Sequence, residues 1–384
     1  MIIATHRVLV VVGTRPEAIK MAPVVSALGR HAASLETKIA FTGQHATLVD
    51  QVLTAFEMET DYDLAIMKDG QTLYDVVHGA LDGLREVVRD FAPDMLLVQG
   101  DTATVFTGAL VGFFERIPVG HVEAGLRSGT KSAPFPEEVL RRLTDVVADH
   151  HFAPTPRARD LLLAENAPAE RVYVTGNTVV DALHSVAARD IPVSNRDLSD
   201  VLTARETRVV LLTAHRRESF GEPLRRVFEA VRRLADERSD VTVVYPVHPN
   251  PQVRHPAKEL LSDHPRIRLT EPLDYFDLVA ALRRADLVLT DSGGIQEEAP
   301  TFGVPVLVLR DVTERPEGVE AGVAELVGTD AGLIVDRARD LLDADGSSGA
   351  VVNPYGDGRA GERIADIVVS ALTGRPRETS DWDG

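Results

Sequence analysis

Short apolar runs recur at 8–12, 38–41, 95–98, 119–122 and 172–174, and stretches with apolar residues at helical spacing, 23–28 and 73–88, lie between them. This alternation predicts a parallel sheet covered by helices on both faces, because strands buried on both sides read as unbroken apolar runs. Periodicity weakens at 187–205 and then restarts, with strands expected at 209–212, 241–245, 267–269, 287–289 and 306–309. Two doubly wound, Rossmann-like α/β units in tandem follow. The helical pattern 360–372 closes the regular part of the chain. Residues 343–349, rich in Asp, Gly and Ser, read as a surface loop, and 374–384 as a frayed tail.

Composition narrows the class. With 384 residues, 44% apolar and 26% charged, the chain is long enough for large cores and about two domains. It contains no apolar run of about 18 residues, and Met1 to His6 lack the basic and apolar regions of a signal peptide, so a soluble cytoplasmic protein is expected. The absence of Cys excludes disulfides, thiolate catalysis and Cys-ligated metal. A net charge of −18 argues against nucleic acid or any other polyanion held by general attraction, so a bound phosphate must be met locally. Only five of the 41 basic residues are Lys. Acid excess with scarce Lys is the pattern of salt-loving cells, where screening weakens self-repulsion; a GC-rich genome would explain the Arg but not the acids.

In open α/β sheets ligands sit beyond the carboxyl ends of the strands, and three segments there carry candidate phosphate chemistry. Thr290-Asp291-Ser292-Gly293-Gly294 follows a strand and opens a helix, so bare main-chain N–H groups and the helix dipole can meet a phosphate; the plainer reading makes Ser292 a helix N-cap. Glu298, about one turn further on, would repel a phosphate and suits a ribose hydroxyl pair. Gly13-Thr14-Arg15-Pro16-Glu17-Ala18-Ile19-Lys20 and Thr213-Ala214-His215-Arg216-Arg217-Glu218 supply cations at matching positions of the two units, a pairing that favours a diphosphate clamp over surface solvation. Three acids, Asp101, Glu123 and Glu137, stand after strands or before a helix; brought together they would separate in pKa into acid and base, and taken singly each fits a helix cap or first turn. His121 reads as structural and His215 as the better functional histidine. No spacing suits a metal, and none is expected.

These segments resemble the non-hydrolysing UDP-N-acetylglucosamine 2-epimerases. The resemblance rests on Gly-Thr-Arg-Pro-Glu-Ala-Ile-Lys-Met-Ala-Pro at 13–23, Gln-Gly-Asp-Thr at 99–102, His-Val-Glu-Ala-Gly-Leu-Arg at 121–127, His-Arg-Arg-Glu at 215–218, Asp-Ser-Gly-Gly-Ile-Gln-Glu-Glu-Ala-Pro at 291–300 and Arg-Asp-Val-Thr-Glu-Arg-Pro-Glu at 310–317, in the family's order. It implies the glycosyltransferase-B fold, two Rossmann-like domains facing a cleft, here 1–178 with the returning 360–384, and 179–359. It further implies that Arg15, His215, Ser292, Gly293 and Arg315 hold the diphosphate of a UDP-sugar. Glu298 would hold the ribose and Leu273 and Leu278 the uracil, with Lys20 and Gly294 also on the substrate side. Asp101, Glu123 and Glu137, with His215, would be catalytic, driving anti elimination of UDP to 2-acetamidoglucal and re-addition on the other face. No cofactor is implied. A homodimer serving polysaccharide biosynthesis is.

The chain departs from the family pattern at Leu140, where Asn is usual, and at Ala46, Thr47 and Gly70, where bacterial members carry polar residues for a second, activating UDP-sugar; Gln44 and His248 still match that regulatory site. Three other readings stay open: an epimerase for a modified UDP-sugar such as a 2,3-diacetamido uronate, a retaining glycosyltransferase on the same fold, and a non-catalytic nucleotide-sugar sensor.

Overall fold

The computed structural model describes residues 5–43, 52–68, 70–132, 134–189, 191–204, 206–344 and 352–384. It divides into two units, Met1–Ala182 with Tyr355–Gly384, and Leu183–Pro354. In the first, β1 (His6–Val12), β2 (Leu35–Phe41), β3 (Tyr62–Asp63), β4 (Met95–Gln99), β5 (Val119–Val122), β6 (His150–Ala153) and β7 (Val172–Val174) form one sheet in the order β3-β2-β1-β4-β5-β6-β7. In the second, β8 (Arg208–Thr213), β9 (Val241–Pro246), β10 (Ile267–Thr270), β11 (Leu287–Thr290), β12 (Val306–Val308) and β13 (Ala324–Leu326) run in the order β10-β9-β8-β11-β12-β13. All pairings are parallel.

Each sheet reverses strand order at one point, between β1 and β4 in the first unit and between β8 and β11 in the second, and ligands of open α/β sheets bind beyond the strand carboxyl ends at such a point. The central strands are buried on both faces: Val8 to Val12 are at most 1% exposed. On one face Leu9, Val11, Leu96 and Val98 pack with Leu84, Val88 and Val105 of the helices Leu73–Phe91 and Ala103–Glu115. Burying one such aliphatic side chain contributes about 1.5–3 kcal/mol. Gly13 is required by packing, since a Cβ there would lie 2.5 Å from Thr104 Oγ1.

The strands fall where the apolar runs place them, and the differences have local causes. The helix Arg15–Gly29 starts eight residues before the 23–28 pattern because its signal is chemical: the Thr14 cap and Pro16 in the first turn. The strand β6, His-His-Phe-Ala, is wholly buried, yet two histidines interrupt its apolar reading. β3 and β13, two and three residues long, also lie outside the expected set. Within 187–205 Asn195 caps a helix, Arg196–Thr203. Asp343 ends the helix Ala331–Asp343, and 345–351 lie outside the described residues.

The expectation of a frayed tail is wrong. The Asp366 carboxylate accepts the Glu378 and Thr379 N–H groups, both at 2.8 Å, Arg363 donates to the Ser380 carbonyl, and the Trp382 N–H donates to the Val174 carbonyl at 2.8 Å. These bonds tie the tail to the helix Ala360–Thr373 and to β7, and Trp382 is buried. No helix among the described residues is long and apolar enough to cross a membrane.

Candidate active site

At the carboxyl end of the first sheet, three turns are tied together by charged hydrogen bonds. Glu123, just past β5, accepts at Oε2 from Lys20 Nζ and from Gln99 Nε2, each at 2.6 Å; Oε1 has no partner among the described residues. Its φ is +68°, a left-handed conformation that strains a residue with a Cβ by about 1–2 kcal/mol. Asp101, past β4, pairs through Oδ2 with Arg141 of the helix Glu137–Val147. Glu138 is fully buried and accepts the Ser128 N–H at 2.9 Å and Arg142 Nε at 3.1 Å, which fixes the helix start. Glu137, one residue earlier and half-buried, makes no hydrogen bond or ion pair among the described residues. None of the three acids is a helix N-cap; only Glu137 is a first-turn acid.

Two residues beneath these turns explain their placement. His121 sets Nε2 against the Gly100 carbonyl, 2.8 Å, and Nδ1 against Asp145, 2.6 Å, so it is structural as expected. Burial pushes the Asp145 carboxyl up, but His121 and Arg127 outweigh it and hold the group below the usual range. Glu17 is buried under the first turn, its Oε2 accepting the Gly13 N–H at 2.7 Å and its Oε1 bonded to the Thr14 hydroxyl at 2.9 Å. Burial raises its carboxyl to about 7 against those hydrogen bonds. Arg15, at the helix start, makes no hydrogen bond or ion pair among the described residues.

The second unit repeats the plan with cations. Asp291, fully buried after β11, accepts the His215 and Arg216 N–H groups at 2.7 and 2.8 Å, and Arg216 Nε donates to its carbonyl at 3.1 Å. This locks the turn after β8 onto the turn after β11. A Cβ on Gly293 would stand 3.7 Å from Arg216 Nη2 and 3.9 Å from Arg315 Cζ, the place an anionic oxygen would take between two guanidiniums. Arg315 is brought in by Nε donation to the buried Glu297 and by Thr313, whose hydroxyl accepts the Arg315 N–H at 3.0 Å and donates to Gln296 at 2.6 Å. Ser292 occupies the N-cap position of the helix Gly293–Glu298 without making the side-chain cap bond. Glu298 ends that helix, near Gly294: a Cβ on Gly294 would lie 3.6 Å from its Oε1. Leu273 and Leu278 pack half-buried on the core around Ile295.

His215 lies ring on ring with His248, centroids 5.2 Å apart and planes 10° apart. Burial lowers the His215 pKa, and His248 and Arg216 lower it further against Asp291, which favours a neutral ring. Gln44, Ala46 and Thr47 lie outside the described residues, and Gly70 is exposed. Among the described residues no group of three or more His, Cys, Asp or Glu is placed to hold a metal ion.

The sequence reading passed over four contributors, Glu17, Gln99, Arg141 and Asp291, and counted Arg216 only among the cations of its turn. Thr-x-x-Glu at 14–17 is a capping signature that would have found Glu17. Asp291 stood inside a quoted segment without a role, because a carboxylate bonding backbone N–H groups of another strand's turn is visible only once β8 and β11 are neighbours.

Comparison with known proteins identifies the family. A UDP-N-acetylglucosamine 2-epimerase family model matches residues 27–369. The chain is 50% identical over 381 residues to the UDP-N-acetylglucosamine 2-epimerase of Bacillus subtilis, covering 98% of this chain and 99% of that protein, and 46% identical over 371 residues to that of Escherichia coli, covering 94% and 98%. The crystal structure of the Neisseria meningitidis UDP-GlcNAc 2-epimerase bound to UDP-GlcNAc is 42% identical, with a TM-score of 0.84 over 96% of this chain and 100% of that one. The chain belongs to the UDP-N-acetylglucosamine 2-epimerase family.

Proposed function

We propose that the protein interconverts UDP-N-acetylglucosamine and UDP-N-acetylmannosamine by anti elimination of UDP and re-addition. One observation carries the chemistry: Asp101, Glu123 and Glu137 each keep a carboxylate oxygen without a partner among the described residues, on turns joined by Lys20, Gln99 and Arg141. Arg216 and Arg315 take the diphosphate over Gly293, with Arg15 and His215 as further donors. Glu298 takes the ribose, and Leu273 and Leu278 the uracil.

In the first half-reaction a carboxylate removes the C2 proton as the C1–O bond breaks. The C–H electron pair forms the C1=C2 bond of 2-acetamidoglucal, and the C1–O pair leaves on the β-phosphate of UDP. Guanidiniums facing that phosphate stabilise the charge as it develops, the electrostatic contribution that is usually largest. In the second half-reaction another carboxyl group delivers a proton to the opposite face of C2, and UDP oxygen re-forms the bond to C1. A general acid or base of this kind contributes about 100-fold to 10,000-fold.

The test is epimerisation in deuterated water followed by mass spectrometry. Product carrying one deuterium at C2, with free UDP and glycal detectable on long incubation, is the expected result. Retention of the original C2 hydrogen would remove the mechanism, and transfer of the sugar to an acceptor would return the chain to the glycosyltransferases. A panel of UDP-sugars substituted at C3 and C6 run in the same assay identifies the preferred substrate.

A further inference from the structure

The opposite end of the first sheet carries a feature that the epimerisation chemistry does not use. At the amino ends of β4 to β7, about 13 Å along β4 from the Asp101 turn, lies a cavity of about 400 Å³ whose lining includes Arg171, Arg377, His150, Tyr173, Met95 and Ile367. No Asp or Glu lines it. Its volume falls in the range of small-molecule pockets.

The charge there is arranged, not scattered. Arg377 is held by Nη1 donation to Asp381 at 2.9 Å, and its guanidinium lies 5.2 Å from the centre of the Tyr173 ring. Its other edge, Nε and Nη2, is buried and donates to no acceptor among the described residues. Those two nitrogens form the side-on fork by which arginine grips two oxygens of one carboxylate or phosphate. Arg171, at the rim, donates Nη1 to His150 Nε2 at 3.0 Å. Burial, and then Arg171, lower His150 to about 4, so the ring is a neutral acceptor and the positive charge belongs to the two arginines. The nearby acids are committed or outside: Asp149 accepts the Val119 N–H, Asp381 accepts the Val174 N–H and holds Arg377, and Glu170 is exposed. Two buried donors lacking an acceptor are unfavourable; both are covered as the side chain stands, so an anion in the cavity relieves that by drawing the guanidinium round to face it.

We infer that this cavity binds a small organic anion, its carboxylate or phosphate head on the Arg377 fork and within reach of Arg171, and its apolar body against Met95 and Ile367. The protein supplies its own reporter. Trp382, the only tryptophan, is buried beside Asp381 and bonded to Val174.

The experiment titrates full-length protein with phenyl phosphate, and in parallel with benzoate, at saturating UDP so that the Arg216–Arg315 cluster is occupied. Trp382 emission and calorimetry are the readouts. A saturable signal with a Kd of about 1 mM or tighter is expected for at least one probe, with inorganic phosphate about tenfold weaker for want of the apolar body. Arg377→Met should weaken binding about tenfold or more, the loss of a charge-assisted pair of hydrogen bonds. Because that change could loosen the tail, Ala371→Glu, which adds a carboxylate at the exposed rim and removes no hydrogen bond, is the second variant; it should weaken binding as much at an unchanged melting temperature. Absence of saturable binding to wild type, or binding that Ala371→Glu leaves intact, would overturn the site.

Discussion

Replacing Glu17 by Gln should change how stability depends on pH, by an amount the structure sets. Glu17 is 3% exposed, and burial raises its carboxyl from 4.5 to about 7 against hydrogen bonds from Gly13, Thr14 and Thr102, with Asp101 adding to the rise. The sign follows from proton counting. Between about pH 4.5 and 7 the folded protein holds a proton that the unfolded chain has released, so stability is fully present below the window and falls as pH rises through it. A shift of two to three units at about 1.4 kcal/mol each makes the total loss about 3 kcal/mol. Glu17→Gln mimics the protonated form, its amide oxygen accepting the Gly13 N–H and its amide nitrogen donating to the Thr14 hydroxyl. The variant should match wild type within about 1 kcal/mol at pH 5 and exceed it by about 2–3 kcal/mol at pH 8, or roughly 4–12 °C in melting temperature for a unit of this size. Asp181, raised to about 6, and His150, lowered to about 4, also titrate, with opposite signs, but both are present in either protein and cancel in the difference. Melts followed by Trp382 emission report on the unit that holds Glu17. Parallel pH profiles, or a variant weaker than wild type at pH 8, would refute the reasoning.

Asp101→Asn, Glu123→Gln and Glu137→Gln should each lower turnover by about 100-fold or more while calorimetric UDP affinity stays within a few-fold; near-normal turnover in all three removes the carboxylate mechanism. Gly293→Val, which fills the space between Arg216 and Arg315, should weaken UDP binding by about tenfold or more with little change in melting temperature, and unaltered affinity would show that the diphosphate sits elsewhere. With a net charge of −18, the melting temperature should rise with KCl up to molar concentration, as screening shortens to about 3 Å at 1 M; a flat or falling series would separate the acidic composition from salt adaptation.

The fold was readable in advance because a doubly wound unit repeats one signal: an apolar run, a turn residue, a helix. The signal fails where burial is achieved by polar residues. β6 reads His-His-Phe-Ala, and His151 is hidden with its Nε2 on the Asp145 carbonyl at 2.9 Å and its Nδ1 buried without a hydrogen bond among the described residues, a polar core that periodicity scores as surface. The tail fails for a related reason: Arg375, Glu378, Thr379 and Asp381 look like solvent-exposed residues, and only Asp366, 12 positions upstream of Glu378, turns them into an ordered arm.

The placement of Asp101, Glu123, Ser292 and Gly293 just past strand ends was readable, because an apolar run precedes each of these turns. Residues that hold one turn against another were not, since Asp291 acts on His215 and Arg216, and Gln99 on Glu123, across adjacent strands whose pairing the linear sequence leaves open. What unites the two groups is local conflict at the strand ends. Glu123 adopts φ +68°, Glu17 and Glu138 bury carboxyl groups, and Asp291 buries another with Oδ1 lacking a hydrogen bond, all within a few residues of the switch-point turns or the helix that pairs with them. A strained backbone or a buried acid lowers stability unless neighbouring donors over-determine it, and such conflicts cluster where geometry serves a ligand. The donors here are Lys20, Gln99, Gly13, Ser128 and the His215–Arg216 turn. They hold carboxylates in fixed positions before any substrate arrives, which is the preorganisation that the proposed proton transfer at C2 would require.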